Sequence, residues 1–198
     1  MGLRWDSVRV VGLIAVVFAA ACFVSFPSVS SRAQSGAFDL AGKSFDPFQS
    51  AAGKIVVLIF VRTDCPVSNR YAPTIQRLSE EHSSKAAFWL VYPSKAETAE
   101  LIRKHGREYG YKIPALRDPQ HVLVKESHAE ITPEVAVFDA ARKLVYHGRI
   151  DNLYEDIGRA RTTATTHELE DAISAALSGK SLAPDSAHAV GCYISDLE

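Results

Sequence analysis

The sequence predicts an α/β domain built on a central mixed β-sheet with helices on both faces. Three observations carry that expectation. Ile55 to Val61 is an unbroken β-branched and aromatic run, Ile-Val-Val-Leu-Ile-Phe-Val, as a strand covered on both faces requires. Helical patterns then alternate with further strand-like runs, the order that makes a mainly parallel sheet. Finally, Ala140-Ala141-Arg142 turns one strand back on the next, which closes the sheet with an antiparallel hairpin.

The first helical pattern is Val67, Tyr71, Ile75, Leu78 and His82, with Pro66 in its first turn and Pro73 inside it. Proline is harmless at the first position and kinks an interior one, so a kink is expected at Pro73. Ala86 to Tyr92 is the second strand, followed by a helix from Lys95 to Tyr109 with Leu101, Ile102, His105 and Tyr109 on one face. Gly110 and Pro114 end it. Ala115 to Arg117 is expected as a short edge strand and His121 to Ser127 as a short helix. Val135 to Phe138 and Leu144 to Ile150 are the hairpin strands, with Tyr146, Trp89, Phe88 and Tyr92 expected in the core. Asn152 to Thr165 shows no period and reads as a surface loop. The last helix starts at Thr165 or Thr166, where Glu168 completes a capping box, and stops at Gly179. From Ser181 no helix or strand pattern is visible.

Three segments are expected. Residues 1–33 read as a signal peptide, with Arg4 and Arg9 ahead of an apolar run from Val10 to Phe26 and cleavage after Ala33. Lipid attachment at Cys22 and an uncleaved anchor are the alternatives, and all three place the domain outside the cytoplasm. Residues 34–180 form the domain, and 181–198 a C-terminal tail carrying Cys192. The formal charge is −1 for the whole chain and becomes −3 once Arg4, Arg9, Arg32 and Asp6 leave with the leader. Such a mixed, near-neutral surface excludes nucleic acid as a partner and limits membrane attachment to the N-terminal segment.

Of three cysteines, only Cys65 and Cys192 remain after the leader. Cys65 follows the first strand and precedes Pro66, at a helix start, where unpaired N–H groups and the dipole stabilise a thiolate. Arg62 and Arg70 are candidates to add positive charge. A buried, inert cysteine is the competing reading. Cys192 has two readings as well: a thiol on a flexible tail that condenses with oxidised Cys65, or a permanent disulfide that pins the tail.

Phe60-Val61-Arg62-Thr63-Asp64-Cys65-Pro66-Val67-Ser68, with Ala72-Pro73 beyond it, resembles the active-site segment of thioredoxin-fold redoxins. Ser68 stands where the second cysteine of a Cys-x-x-Cys pair would be. Thr132-Pro133-Glu134-Val135-Ala136-Val137-Phe138 is similar to that family's cis-proline loop, and Phe38-Asp39-Leu40 with Gly42-Lys43 to its opening hairpin. Leu144 to Asn152, the helix from Leu169 to Lys180 and Val190-Gly191-Cys192 resemble the peroxiredoxin-like branch of alkyl hydroperoxide reductases and thiol-specific antioxidants. Arg62 departs from that branch, which usually carries Thr or Ser three residues before its reactive cysteine.

The resemblance implies a thioredoxin-like fold and an exported thiol oxidoreductase with Cys65 as nucleophile and Cys192 as resolving thiol. Thr132 and Pro133 would shape the pocket and Ser68 would stand beside the sulfur. It implies no cofactor; the substrate would be a thiol, disulfide or peroxide, and the reductant external. The rival expectation is a binding module, chiefly a copper carrier, in which His128, His147, His167 or His188 joins a cysteine around an ion. His82 and His105 are expected at core edges instead. Arg149 and Asp151 are expected as an ion pair or as lining of the site, and Arg159 and Arg161 as solvated.

Overall fold

The computed structural model describes residues 1–2, 36–180, 187–195 and 197. The chain divides into two units, Met1–Arg32 and Ala33–Glu198, and the fold below belongs to the second. Residues 3–33 of the expected leader, with its cleavage point and Cys22, lie outside the described residues. Among the described residues no helix is long and apolar enough to cross a membrane.

In chain order the elements are β1 (Phe38–Asp39), α1 (Pro47–Ser50), β2 (Ile55–Phe60), α2 (Pro66–Arg70), α3 (Ala72–His82), β3 (Ala86–Tyr92), α4 (Ala99–Glu108) and β4 (Ala115–Arg117). There follow α5 (Val122–Ser127), β5 (Ile131–Thr132), β6 (Glu134–Phe138), β7 (Leu144–Gly148), β8 (Tyr154–Asp156), β9 (Arg159–Ala160), α6 (Glu168–Leu177) and β10 (Cys192–Tyr193). The main sheet has six strands in the order β1-β4-β3-β2-β6-β7. β2 runs parallel to β3, and β3 to β4, whereas β6 and β7 are antiparallel, so the sheet is mixed.

β2 is central and buried along its whole length. Its alternate residues feed two cores, as the two-residue period of a strand dictates. Val57 and Ile59 pack with Tyr71, Ile75, Leu78, Ile102, Leu169 and Ile173. Val56, Leu58 and Phe60 pack on the opposite face with Leu123, Val124 and Phe138. Helices therefore cover both faces, as expected.

Several boundaries differ from the expectation, each for a physical reason. Pro73 does not kink one helix; it stands in the first turn of α3, and Tyr71 separates α2 from α3. α4 starts after Thr98, whose hydroxyl accepts from Leu101 N–H at 3.2 Å. Leu101 and Tyr109 are exposed while Ile102 and His105 are buried. β4 is an inner strand, because β1 pairs on its outer side. The stretch expected to be a loop holds the β8–β9 hairpin, where Arg159 and Arg161 both pair with Glu155. The expected capping box does not form: Thr165 and Thr166 donate their N–H groups to Asn152, and α6 begins after His167. The tail, expected to be patternless, contributes β10, which pairs antiparallel with β5.

Candidate functional site

Cys65 closes the turn after β2 and is the N-cap residue of α2. Its side chain is fully buried, at 0% exposure. In the neutral form its sulfur donates to the Thr132 carbonyl oxygen at 3.1 Å. The Thr132–Pro133 peptide that follows this carbonyl is cis. Ser68, one turn into α2, is also at 0% exposure, and its hydroxyl makes no conventional hydrogen bond in the resting form. That proton is available to the sulfur once the sulfur is charged.

Cys192 reaches the same place from the tail. Register puts it opposite Thr132, and the Thr132 hydroxyl donates to the Cys192 carbonyl oxygen at 3.2 Å. Both cysteines are free thiols, and Cys192 packs against the same core cluster as Cys65, across from the Thr132 carbonyl that the Cys65 thiol meets. Burial pushes the Cys65 thiol up. The Ser68 hydroxyl, the Cys192 thiol and the Ser68 and Val67 N–H groups outweigh it and hold Cys65 below the ordinary thiol value. Burial, then the hydrogen bond to Cys65 and its charge, push Cys192 the other way, to about 11. One sulfur is thus poised to ionise and its neighbour to keep its proton.

Cys65, Ser68, Thr132, Pro133 and Cys192, all singled out from the sequence, meet at one point. The arginines do not act as expected. Arg62 pairs with Asp64 at 2.8 Å and Arg70 points to solvent, so hydrogen bonds rather than cations lower Cys65. Arg149 and Asp151 do not pair with each other. Arg149 pairs with Glu168, and Asp151 accepts from the buried Tyr71 hydroxyl at 2.6 Å.

A polar brace escaped the sequence reading. The turn residue Thr63 donates its N–H to Glu97 at 2.6 Å, and its carbonyl accepts from the Asn69 side-chain amide at 3.2 Å. Asn69 Oδ1 faces His105 Nε2 at 2.8 Å, and His105 Nδ1 faces the Tyr92 hydroxyl at 2.8 Å. Burial holds His105 below the ordinary imidazole value, so the ring is neutral, and this network assigns its proton to Nε2. Nothing local in the sequence marks Glu97, because its partner lies 34 residues away.

Three of the histidines expected as metal ligands share a cavity whose lining includes neither cysteine. His128, His147 and His188 line a cavity of about 230 Å³ with Glu130 and Glu134, and His147 Nδ1 is 3.4 Å from Glu134. His167 is exposed at the start of α6. Among the described residues no three His, Cys, Asp or Glu side chains are grouped to hold a metal ion.

Residues 25–162 match the family model described as Redoxin. The chain belongs to the Redoxin family. The match includes Cys65, Ser68, Thr132 and Pro133 and stops short of Cys192. No curated protein matches this Redoxin chain. Among solved structures it is similar to a hypothetical protein from Sinorhizobium meliloti, with 24% identity, TM-score 0.67 and coverage of 79% of this chain and 87% of that one. An uncharacterised conserved protein from Geobacillus kaustophilus gives 23% identity, TM-score 0.68 and coverage of 81% and 89%. A thiol:disulfide interchange protein of the thioredoxin family from Chlorobium tepidum gives 15%, 0.52, and 71% and 90%. The likeness at these identities is one of fold, and that fold is thioredoxin-like.

Proposed function

We propose that this Redoxin chain is an exported thiol-dependent oxidoreductase in which Cys65 is the nucleophile and Cys192 the resolving thiol. The observation that supports it best is that Thr132 holds two free thiols side by side, its carbonyl on Cys65 and its strand partner Cys192, with proton affinities shifted in opposite directions. Membership of the Redoxin family supports the coarser reading, thiol–disulfide chemistry. Export rests on the leader-like residues 1–33.

With a peroxide as oxidant, the Cys65 thiolate attacks one oxygen, the O–O bond breaks, and the leaving oxygen takes a proton to become an alcohol or water. Cys65 is then a sulfenic acid. The Cys192 sulfur displaces its hydroxyl, forming the Cys65–Cys192 disulfide and releasing water. With a disulfide as oxidant, Cys65 takes one of its sulfurs, the other leaves as a thiol, and Cys192 displaces the second. Either way two thiols of an external reductant restore the pair and become a disulfide. Ser68 stabilises the attacking thiolate, while Thr132 and the Pro133 loop hold Cys192 over it.

Mass spectrometry after stoichiometric hydrogen peroxide tests this. The expected product is a chain lighter by two hydrogens with Cys65 linked to Cys192, and no turnover in Cys65→Ser. A parent chain that consumes neither peroxide nor disulfide in the presence of dithiothreitol would refute the proposal.

A further inference from the structure

The tail does more than carry a thiol; it fills a slot. Residues 187–195 lie across the site as an extended strap. The Ala187 carbonyl accepts from Arg149 N–H at 3.0 Å, and Ile194 N–H donates to the Glu130 carbonyl at 2.8 Å. Between these anchors, Cys192 and Tyr193 pair with the edge of β5. The strap lies so close to the cis-proline loop that Gly191 is obligatory: a Cβ there would stand 2.0 Å from the Thr132 carbonyl oxygen and 3.1 Å from Pro133 Cδ. The seat at Gly148 is also tight, since a Cβ there would meet the Ala187 carbonyl oxygen at 2.6 Å.

The strap is also lightly held. Only Ala189 and Ile194 among its large or small apolar side chains are both described as buried, and Tyr193 is 71% exposed. Beneath its first residues lies the polar cavity lined by His128, Glu130, Glu134 and His147 rather than close-packed hydrocarbon. Yet this thin cover leaves Cys65 with no exposure at all. The β5 edge beside Cys65 is the one an extended polypeptide would join as an added strand. While the strap is seated, that edge is taken.

Building on the redox reading above, we propose that residues 187–195 are the specificity element of this site. They occupy a groove shaped for an extended segment with glycine immediately before its cysteine, and a polypeptide thiol reaches Cys65 only by replacing them. Small oxidants and thiols need only a brief opening.

The test uses full-length protein in a Cys22→Ser/Cys192→Ser background, so that Cys65 is the single thiol. The strap is released in two independent ways, by Gly191→Val in the slot and by Ile194→Asp at the distal anchor, with circular dichroism reporting the fold. The probes are iodoacetamide and two peptides copying residues 188–194 as thionitrobenzoate disulfides, one with Gly-Cys and one with Ala-Cys. Releasing the strap should raise the rate with the Gly-Cys peptide, relative to iodoacetamide, by about tenfold or more, since only the open fraction is competent beforehand. The Ala-Cys peptide should stay slow. An unchanged ratio in both variants, or equal rates for the two peptides, overturns the inference while leaving Cys65 a reactive thiol. A Cys65 that ignores iodoacetamide at neutral pH in every variant sinks the redox reading along with it.

Discussion

A buried thiol ionises at neutral pH only when the donors around its sulfur outweigh the water it has lost. At Cys65 the Ser68 hydroxyl is the foremost of those donors, ahead of Cys192 and the Ser68 and Val67 N–H groups. Ser68→Ala removes a donor that acts on the charged form alone, so the thiol value moves up. Iodoacetamide alkylation of Cys65 at pH 6 should slow by about tenfold, the worth of one hydrogen bond to a charged group, and converge with the parent at high pH. An unshifted pH–rate profile would show that Ser68 merely fills space. Cys65, Ser68, Thr132 and Pro133 were legible because each sits at a fixed offset from a strand end or a proline. Glu97, Asn69 and His105 were not, since a polar residue drawn inward by a distant backbone group looks like any surface residue. His105 was expected at a core edge; its burial fits, but its link through Asn69 to the Cys65 turn had no local signature.

At the scale of elements, the turn between β2 and α2 is braced by the segment that leads into α4. Glu97 is 6% exposed, accepts from Thr63 N–H, and leaves its Oε2 without a partner. Burial holds its carboxyl above the usual range; the Thr63 donor and Arg62 act downward and Asp64 upward. As pH rises, the unfolded chain therefore releases this proton before the native chain does. The native state binds more protons across that window, and stability falls as pH rises through it. Glu97→Gln keeps the acceptor for Thr63 and removes the buried charge. The variant should melt about 3 °C above the parent at pH 7, with the gap shrinking toward zero near pH 4. Scanning calorimetry at the two pH values decides it, and a variant less stable at pH 7 would mean the ionised carboxylate is the better brace. α4 starts at Ala99 rather than at Lys95 because Thr98 caps it. β2 and β3 could be read closely because long apolar runs have one use in a domain of this size. β10 could not: two residues carry no period, and their partners Ile131 and Thr132 lie 60 or more positions away in sequence.

For the molecule as a whole, the Cys65–Cys192 pair ties the first core strand to the end of the chain, across nearly all of the domain. The Redoxin match covers residues 25–162 and does not include that second thiol, so the link joins the family's common core to a segment outside it. Oxidation would convert a lightly held strap into a covalent one. In the reduced chain the unfolded ensemble is unconstrained, whereas the oxidised chain keeps a loop of more than a hundred residues closed even when unfolded. Chain-entropy arguments put that constraint at about 4–5 kcal/mol. The native state needs little rearrangement to accept the bond, because Thr132 meets the Cys65 thiol through its carbonyl and holds Cys192 in register beside it. The oxidised protein should therefore unfold in urea with a free energy about 4 kcal/mol above the reduced protein, and melt about ten degrees higher. Cys192→Ser should unfold alike with and without oxidant. If the oxidised parent were no more stable than the reduced one, the disulfide would be storing strain. That strain would cancel the loop constraint and make the bond easier to reduce.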